Sequence, residues 1–232
     1  MENEFLRAVC SDHIIKPYLT VQNVREVDAF VSSLTDSADY EYFPFRIDSP
    51  NFLKYNNLDP RSVVKGCFLQ YNFFPWNPQS DYLYDILSPL VVSFLDISNQ
   101  FCLANLCQTH EILTGIRPDR FYSDSHFIRL TYQHFPARHG FLAIHRDPVG
   151  SHQICAPILS LNGPKDHGLY YINNNQKIDL QPLLGYGDVA LFDSSKLHAV
   201  EHDLTSDHGT RHILLSIHAY HSHEQFVQST TN

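Results

Sequence analysis

The sequence predicts a mainly β fold with some α, a double-sheet jelly roll braced by helices, and three observations predict it. From residue 121 onward, eight short extended segments alternate with turn-forming residues, the spacing of a closed two-sheet architecture. Before residue 120, apolar residues recur instead at helical intervals. With 232 residues, 43% of them hydrophobic, the chain can bury one sizeable core and reads as a single domain, 1–232. Its N-terminal part, 1–120, helical and rich in aromatics, is expected to pack on a jelly-roll core formed by 121–232.

Taken in order, Val21, Val24, Val27, Phe30, Val31 and Leu34 make one apolar stripe, with Thr20 placed as its cap. The aromatic stretch from Val63 to Pro78 is expected to include a strand. A second helix is predicted through Tyr82, Ile86, Leu90, Phe94 and Ile97, with Pro89 kinking it or marking its start. The extended segments follow: Phe127 to His134, Phe141 to Arg146, Ile154 to Leu161 and Gly168 to Ile172. Then come Lys177 to Leu180, Asp188 to Phe192, His198 to Glu201 and Arg211 to Ala219. Asn162-Gly-Pro, Asn173-Asn-Asn and Gly185-Tyr-Gly-Asp supply turns between them. This pattern suits a cupin-like roll with the helices on one outer face. A β-sandwich without a lumen has the same strand count, so the count leaves that alternative open.

Composition narrows the partners. The apolar runs, such as Phe141 to Ile144 and Val189 to Phe192, are too short for a membrane span. The opening Met1-Glu-Asn-Glu is acidic where a secretory signal is basic. Five scattered cysteines lack zinc-site or disulfide spacing, which points to reduced thiols and a cytoplasmic setting. A formal charge of −9 opposes a phosphate backbone, so no nucleic acid is expected. A small-molecule substrate fits better. Oligomeric state is not legible.

The most informative residues are His145 and Asp147, two ligand-type side chains at i and i+2 on one strand face. His198 opens the seventh predicted strand and in a jelly roll can reach the end of the second. In a chain with fifteen histidines a lone His-x-Asp is common, and a structural hydrogen bond explains many such pairs. Order along the strands sets this one apart. Two histidines and one carboxylate leave open positions and suit Fe(II). His202 lies four residues after His198, but Glu does not follow His198 directly and the stretch reads as extended. That sets a zinc hydrolase aside. His218, Tyr220, His221 and His223 read as polar C-terminal surface.

The run His145-Arg-Asp147, Gly187-Asp188-x-x-x-Phe192, His198-x-Val200 and Arg211 resembles the Fe(II)/2-oxoglutarate-dependent oxygenase family over the C-terminal half of the chain. The resemblance implies metal ligation by His145, Asp147 and His198, with 2-oxoglutarate and dioxygen (O2) as cosubstrates. It implies that Arg211 grips the distal carboxylate of 2-oxoglutarate, a task suited to a bidentate, always charged guanidinium. It also implies a cosubstrate contact from Tyr132. One departure stands out: many relatives carry a serine two residues after this arginine, where this chain has Ile213. Halogenating relatives replace the carboxylate by a small residue, so Asp147 implies hydroxylation, desaturation or ring closure.

Substrate signals are thinner. The run Tyr71-Asn-Phe-Phe-Pro-Trp76 suits core packing or a pocket entrance, and Arg129 and Arg138 are expected to flank the mouth, either binding a substrate carboxylate or solvated and paired with acidic residues. The leading expectation is hydroxylation of a free amino acid or similar small metabolite. The alternatives are a protein or peptide residue as substrate, a biosynthetic desaturase or cyclase, and, in another class, a non-catalytic metal-binding cupin-like module.

Overall fold

The computed structural model describes residues 14–15, 19–35, 44–47, 64–92, 116, 120–124, 126–146, 156–192, 196–202, 204 and 209–219. Helix α1 (Val21–Thr35) begins where the sequence places it: the Asn23 backbone N–H donates to Thr20 Oγ1 at 3.1 Å. Its stripe buries Val24, Val27 and Val31; Leu34's side chain lies outside the described residues. A 3₁₀ turn, Pro78–Ser80, leads into a second helical run over residues 81–92, α2. Asn77 Oδ1 accepts from the Gln79 N–H at 3.1 Å at that entry. Pro89 therefore sits inside the helix and does not mark its start, while Phe94 and Ile97 lie outside the described residues.

All eight strands expected after residue 120 form. They are β5 (His126–Phe135), β6 (Phe141–His145), β7 (Ala156–Ser160), β8 (Leu169–Asn173), β9 (Gln176–Asp179), β10 (Val189–Phe192), β11 (His198–Val200) and β12 (Thr210–Ala219). The earlier part of the chain does more than brace them. It adds β1 (Ile14–Ile15) and β4 (Leu69–Phe73) to one sheet, and β2 (Pro44–Ile47) and β3 (Val64–Cys67) to the other. The first sheet has the order β1-β10-β7-β12-β5-β4 and the second β2-β3-β6-β11-β8-β9. Every named pairing is antiparallel. The eight roll strands divide four and four between the sheets, the arrangement of a double-stranded β-helix.

Local chemistry explains two of the turns. Asn174 and Asn175, with φ of 50° and 62°, form a two-residue connection between β8 and β9. Asparagine tolerates that left-handed region better than most residues. Gly187, at φ 86°, starts the run into β10 where a Cβ would come within 2.8 Å of Val24 on α1. The glycine thus lets the roll approach the helix closely.

Alternation along the strands builds two cores. Ile128, Leu130 and Tyr132 of β5 join Ile213, Leu215 and Ile217 of β12 against Val24, Val27, Val31, Leu83 and Leu87 of the helices. The opposite face meets the second sheet, where Phe135, Ile158, Ala190 and Leu214 pack with Leu142, Leu169, Tyr171, Leu180 and Val200. The first sheet is therefore buried on both sides, helices on one and the lumen of the roll on the other. Each buried large aliphatic side chain contributes roughly 1.5–3 kcal/mol.

Candidate metal centre

His145 ends β6 and His198 begins β11, and the ladder sets them directly opposite each other. Their neighbours are out of step: Val200 faces Leu142, so two residues on β11 span three on β6. That bulge turns His145 to the same side as Leu142 and Val200, into the lumen. The imidazole centroids are 4.3 Å apart at 55°, and the residues are 3% and 6% exposed. Each ring is held by a backbone carbonyl, His145 Nδ1 by Ala143 O at 2.8 Å and His198 Nδ1 by Lys196 O at 2.9 Å. A carbonyl can only accept, so Nδ1 is the donor in both rings. This is how second partners orient histidines toward a metal. Two fixed, buried, neighbouring imidazoles fit a divalent cation. Asp147, the expected third ligand, lies outside the described residues.

The two residues expected to bind the cosubstrate are not brought to this lumen. Arg211 shares its strand face with Ile213, Leu215 and Ile217, the face covered by the helices. Its guanidinium grips Asp28 of α1, with Nη1–Oδ1 at 2.5 Å and Nη2–Oδ2 at 3.3 Å. Ser32 Oγ at 3.3 Å and Leu161 O at 3.5 Å complete its surroundings. Burial raises the Asp28 pKa above its ordinary value, and the Arg211 charge and hydrogen bonds pull in the opposite direction. Tyr132 is likewise on the helix side, 1% exposed among Leu130, Ile128 and Ile213. Strand alternation thus sets both Arg211 and Tyr132 on the helix side of the first sheet. The signal was present at Ile213: an apolar residue where relatives carry serine puts Arg211 on the apolar parity of β12.

Several other expectations are resolved by the same geometry. The inward neighbour of Arg211 is His212, 1% exposed, 3.0 Å from Gln181 Oε1. Burial first, then the charge of Lys165, lowers its pKa to about 3, so it is neutral. Arg138 is not at the mouth. It sits in the turn between β5 and β6, at φ 66°, whereas His145 stands at the other end of β6. Arg129 faces inward on β5, opposite Ser216. His202 packs against Phe141 in a tilted ring contact, centroids 4.6 Å apart, away from the paired imidazoles. His218 belongs to β12, where its ring meets Ser216 Oγ at 2.8 Å, rather than to a C-terminal surface tail. A groove of about 450 Å³ on the second sheet is lined by Ile144, Tyr170, Ala199, His202 and others, and includes neither imidazole.

A double-stranded β-helix carrying inward histidines at the end of its second strand and the start of its seventh has the fold of the Fe(II)/2-oxoglutarate oxygenases. Solved structures bear out that likeness. A prolyl-4-hydroxylase from Pseudomonas putida is 12% identical, with TM-score 0.52, over 93% of this chain and 97% of that one. A prolyl hydroxylase from Trichoplax adhaerens, solved with a hypoxia inducible factor peptide fragment, is 15% identical, with TM-score 0.56, over 92% and 87%. A non-heme alpha ketoglutarate dependent epimerase from nogalamycin biosynthesis is 9% identical, with TM-score 0.52, over 93% and 81%. At these identities the likeness is one of fold. No protein-family model matches the chain, and no curated protein does. No helix among the described residues is long and apolar enough to cross a membrane.

Proposed function

We propose that the protein is an Fe(II)- and 2-oxoglutarate-dependent dioxygenase that hydroxylates a free amino acid or a similar small metabolite. The observation that carries this reading is the inward, directly opposed pair His145 and His198, each ring oriented by a backbone carbonyl at Nδ1. Asp147, two residues beyond His145, is proposed as the carboxylate that completes the set and offsets part of the cation's charge. Bound iron with 2-oxoglutarate supplies oxidative decarboxylation by dioxygen coupled to attack on a substrate C–H bond.

The chain's own contribution is positional. The carbonyls of Ala143 and Lys196 hold the imidazoles in one tautomer and one rotation, so neither ring reorganises on metal binding. Leu142, Leu169, Tyr171 and Val200 make the surrounding lumen apolar and buried, which limits water near the metal. A cytosolic setting, with reduced cysteines, belongs to the same proposal.

Anaerobic addition of Fe(II) and then 2-oxoglutarate tests it, with the weak metal-to-ligand charge-transfer band in the visible as readout. The expected result is a band that requires both additions, followed by substrate-stimulated succinate release in air. Iron binding without any band is the result of a non-catalytic metal-binding roll. Succinate release stimulated by a peptide and by no metabolite moves the substrate to a protein residue, as in the peptide complex of the Trichoplax prolyl hydroxylase.

A further inference from the structure

The outer face of the second sheet carries a cavity that the metal centre does not use. This groove of about 450 Å³ lies within the range of roughly 300–1,000 Å³ usual for small-molecule sites. Leu142, Leu169, Tyr171 and Val200 face the lumen, so strand alternation sets Ala143, Tyr170 and Ala199 on the opposite side. Tyr170 stands directly across the ladder from Ala199. The two alanines make a floor with no side chain beyond Cβ, and Tyr170 makes a wall. Phe141 and His202, in ring contact, close one end, while Ile144, 49% exposed, forms an apolar rim. Among the described residues that line the groove, Glu201 is the one carboxylate, and no lysine or arginine accompanies it.

A side chain of the same protein shows what this wall attracts. Lys177 Nζ lies over the Tyr170 ring, 4.6 Å from its centroid, and meets Glu201 at 2.6 Å and Asp179 at 2.8 Å. A ring face and two carboxylates thus already hold an ammonium beside the groove. Burial works to lower the Lys177 pKa, yet the hydrogen bonds and charges of Asp179 and Glu201 outweigh it and raise the value. The surroundings therefore favour a positive charge. Lys177 holds that place weakly, because all three side chains are more than a third exposed and such pairs exchange readily with solvent.

We propose that this groove binds a small organic amine, whose ammonium takes the place of Lys177 between Tyr170 and Glu201 and whose apolar body lies over Ala143 and Ala199 toward Ile144. The floor removes the body from water, and the ring face with the carboxylate receives the head. A net charge of −9 adds to the attraction for a cation. A protein partner needs about 1,000 Å² or more of contact, whereas the apolar part of this face is confined to the groove, with Lys177 and Asp179 beside it on β9. The site is separate from the lumen. Its floor is the reverse side of the strands that carry His145 and His198, with Ala199 next to His198 and the Ala143 carbonyl holding His145 Nδ1. The proposal stands on the groove and not on the oxygenase reading.

Backbone amide shifts in NMR spectra of the full chain test it, in titrations with hexylamine and 2-phenylethylamine beside the neutral hexanol and 2-phenylethanol. The amines are expected to bind in the micromolar to low-millimolar range, with shifts centred on Ala143, Tyr170, Ala199 and Glu201, and the alcohols more weakly. Glu201→Gln, which removes the charge and keeps the shape, should weaken the amines by about threefold to tenfold and leave the alcohols as they were. Lys177→Ala, which clears the resident ammonium, should tighten the amines by about threefold or more. Misfolding cannot produce a gain, so the opposite signs of these two exposed substitutions exclude it as the cause. Mn(II) with 2-oxoglutarate should leave amine affinity unchanged. Equal amine binding by the parent and Glu201→Gln, weaker binding by Lys177→Ala, or alcohols that bind as well as amines overturn the proposal. Competition by Mn(II) with 2-oxoglutarate places the amine at the metal centre and overturns it as well. Binding of a short lysine-containing peptide, with no binding of either free amine, overturns it in favour of a protein partner.

Discussion

The two faces of the first sheet are built from the same strands and behave as different materials. On the helix side, β5 and β12 present Ile128, Leu130, Tyr132, Ile213, Leu215 and Ile217, all at most 7% exposed. The one ion pair described there, Arg211 with Asp28, lies at the start of β12 and ties the sheet to α1. On the lumen side, the same two strands mix the polar Arg129, Thr131, His212 and Ser216 with the apolar Phe135 and Leu214. A face covered permanently by helices gains most from dry packing. The lumen face instead keeps hydrogen-bonding groups, as between Thr131 and Asn72 and between His212 and Gln181. Alternation by single residues assigns the two tasks.

The contrast can be broken most severely at the metal end. His198→Ala should reduce Fe(II) affinity by at least about 100-fold and abolish turnover while leaving the fold intact. Equilibrium dialysis with metal analysis, beside a thermal melt, checks it; retained iron would remove His198 from the site. Next in size is a paired test of the two faces. Leu130→Ala, on the helix side, should cost about 2–5 kcal/mol, and Arg129→Gln, its lumen-facing neighbour, within about 1 kcal/mol. Urea melts of both variants decide whether the faces differ as described.

Acid should weaken the sheet through its buried histidines. Burial, with Lys165, holds His212 at about 3, and burial, with Arg211 and Lys165, holds His134 at about 4. Both lie below the ordinary value of 6.5, so the unfolded chain binds more protons in that window. Their contribution is full above about 6.5 and is lost as pH falls toward 4 and 3, on the order of a few kcal/mol in total. His212→Gln should flatten this slope in melts run at successive pH values. An unchanged slope would mean that His212 is protonated without unfolding. Asp28 acts in the opposite sense: its raised pKa adds stability at low pH, lost as pH rises through it.

Smaller effects sharpen the same comparison. Arg211→Gln should lose about 1–3 kcal/mol of stability by leaving Asp28 without its partner, with 2-oxoglutarate affinity unchanged. A strong loss of cosubstrate binding in that variant would instead assign Arg211 the role that the family resemblance implies. Smallest of all, Asn175→Gly in the β8–β9 turn should stabilise by about 0.5–1 kcal/mol, since glycine adopts φ of 62° without strain.

Much of this was legible in the chain. Thr20 as a cap, the valine stripe after it and the eight strands each follow from short-range chemistry, because capping and turn preferences act within a few residues. The pairing of His145 with His198 was legible too, through strand order and spacing. The additional strands β1 to β4 were less so, apart from the aromatic stretch that contains β3 and β4. Short edge strands such as Ile14–Ile15 carry too few residues for periodicity to speak. The bulge that aims His145 inward leaves no mark in Phe141-Leu-Ala-Ile-His145, since it arises from register against β11.

By itself the sequence determined the elements, their order, and the two histidines with spacing suited to a shared metal. The tertiary structure decided which way the strands face. A strand of period two offers two equivalent sides, and residues one apart, Arg211 and His212 or Thr131 and Tyr132, compete for the lumen on equal local terms. The choice fell to the helices. Their valines and leucines cover the parity that buries the most apolar surface, and whatever shares that parity, Arg211 and Tyr132 included, goes with it.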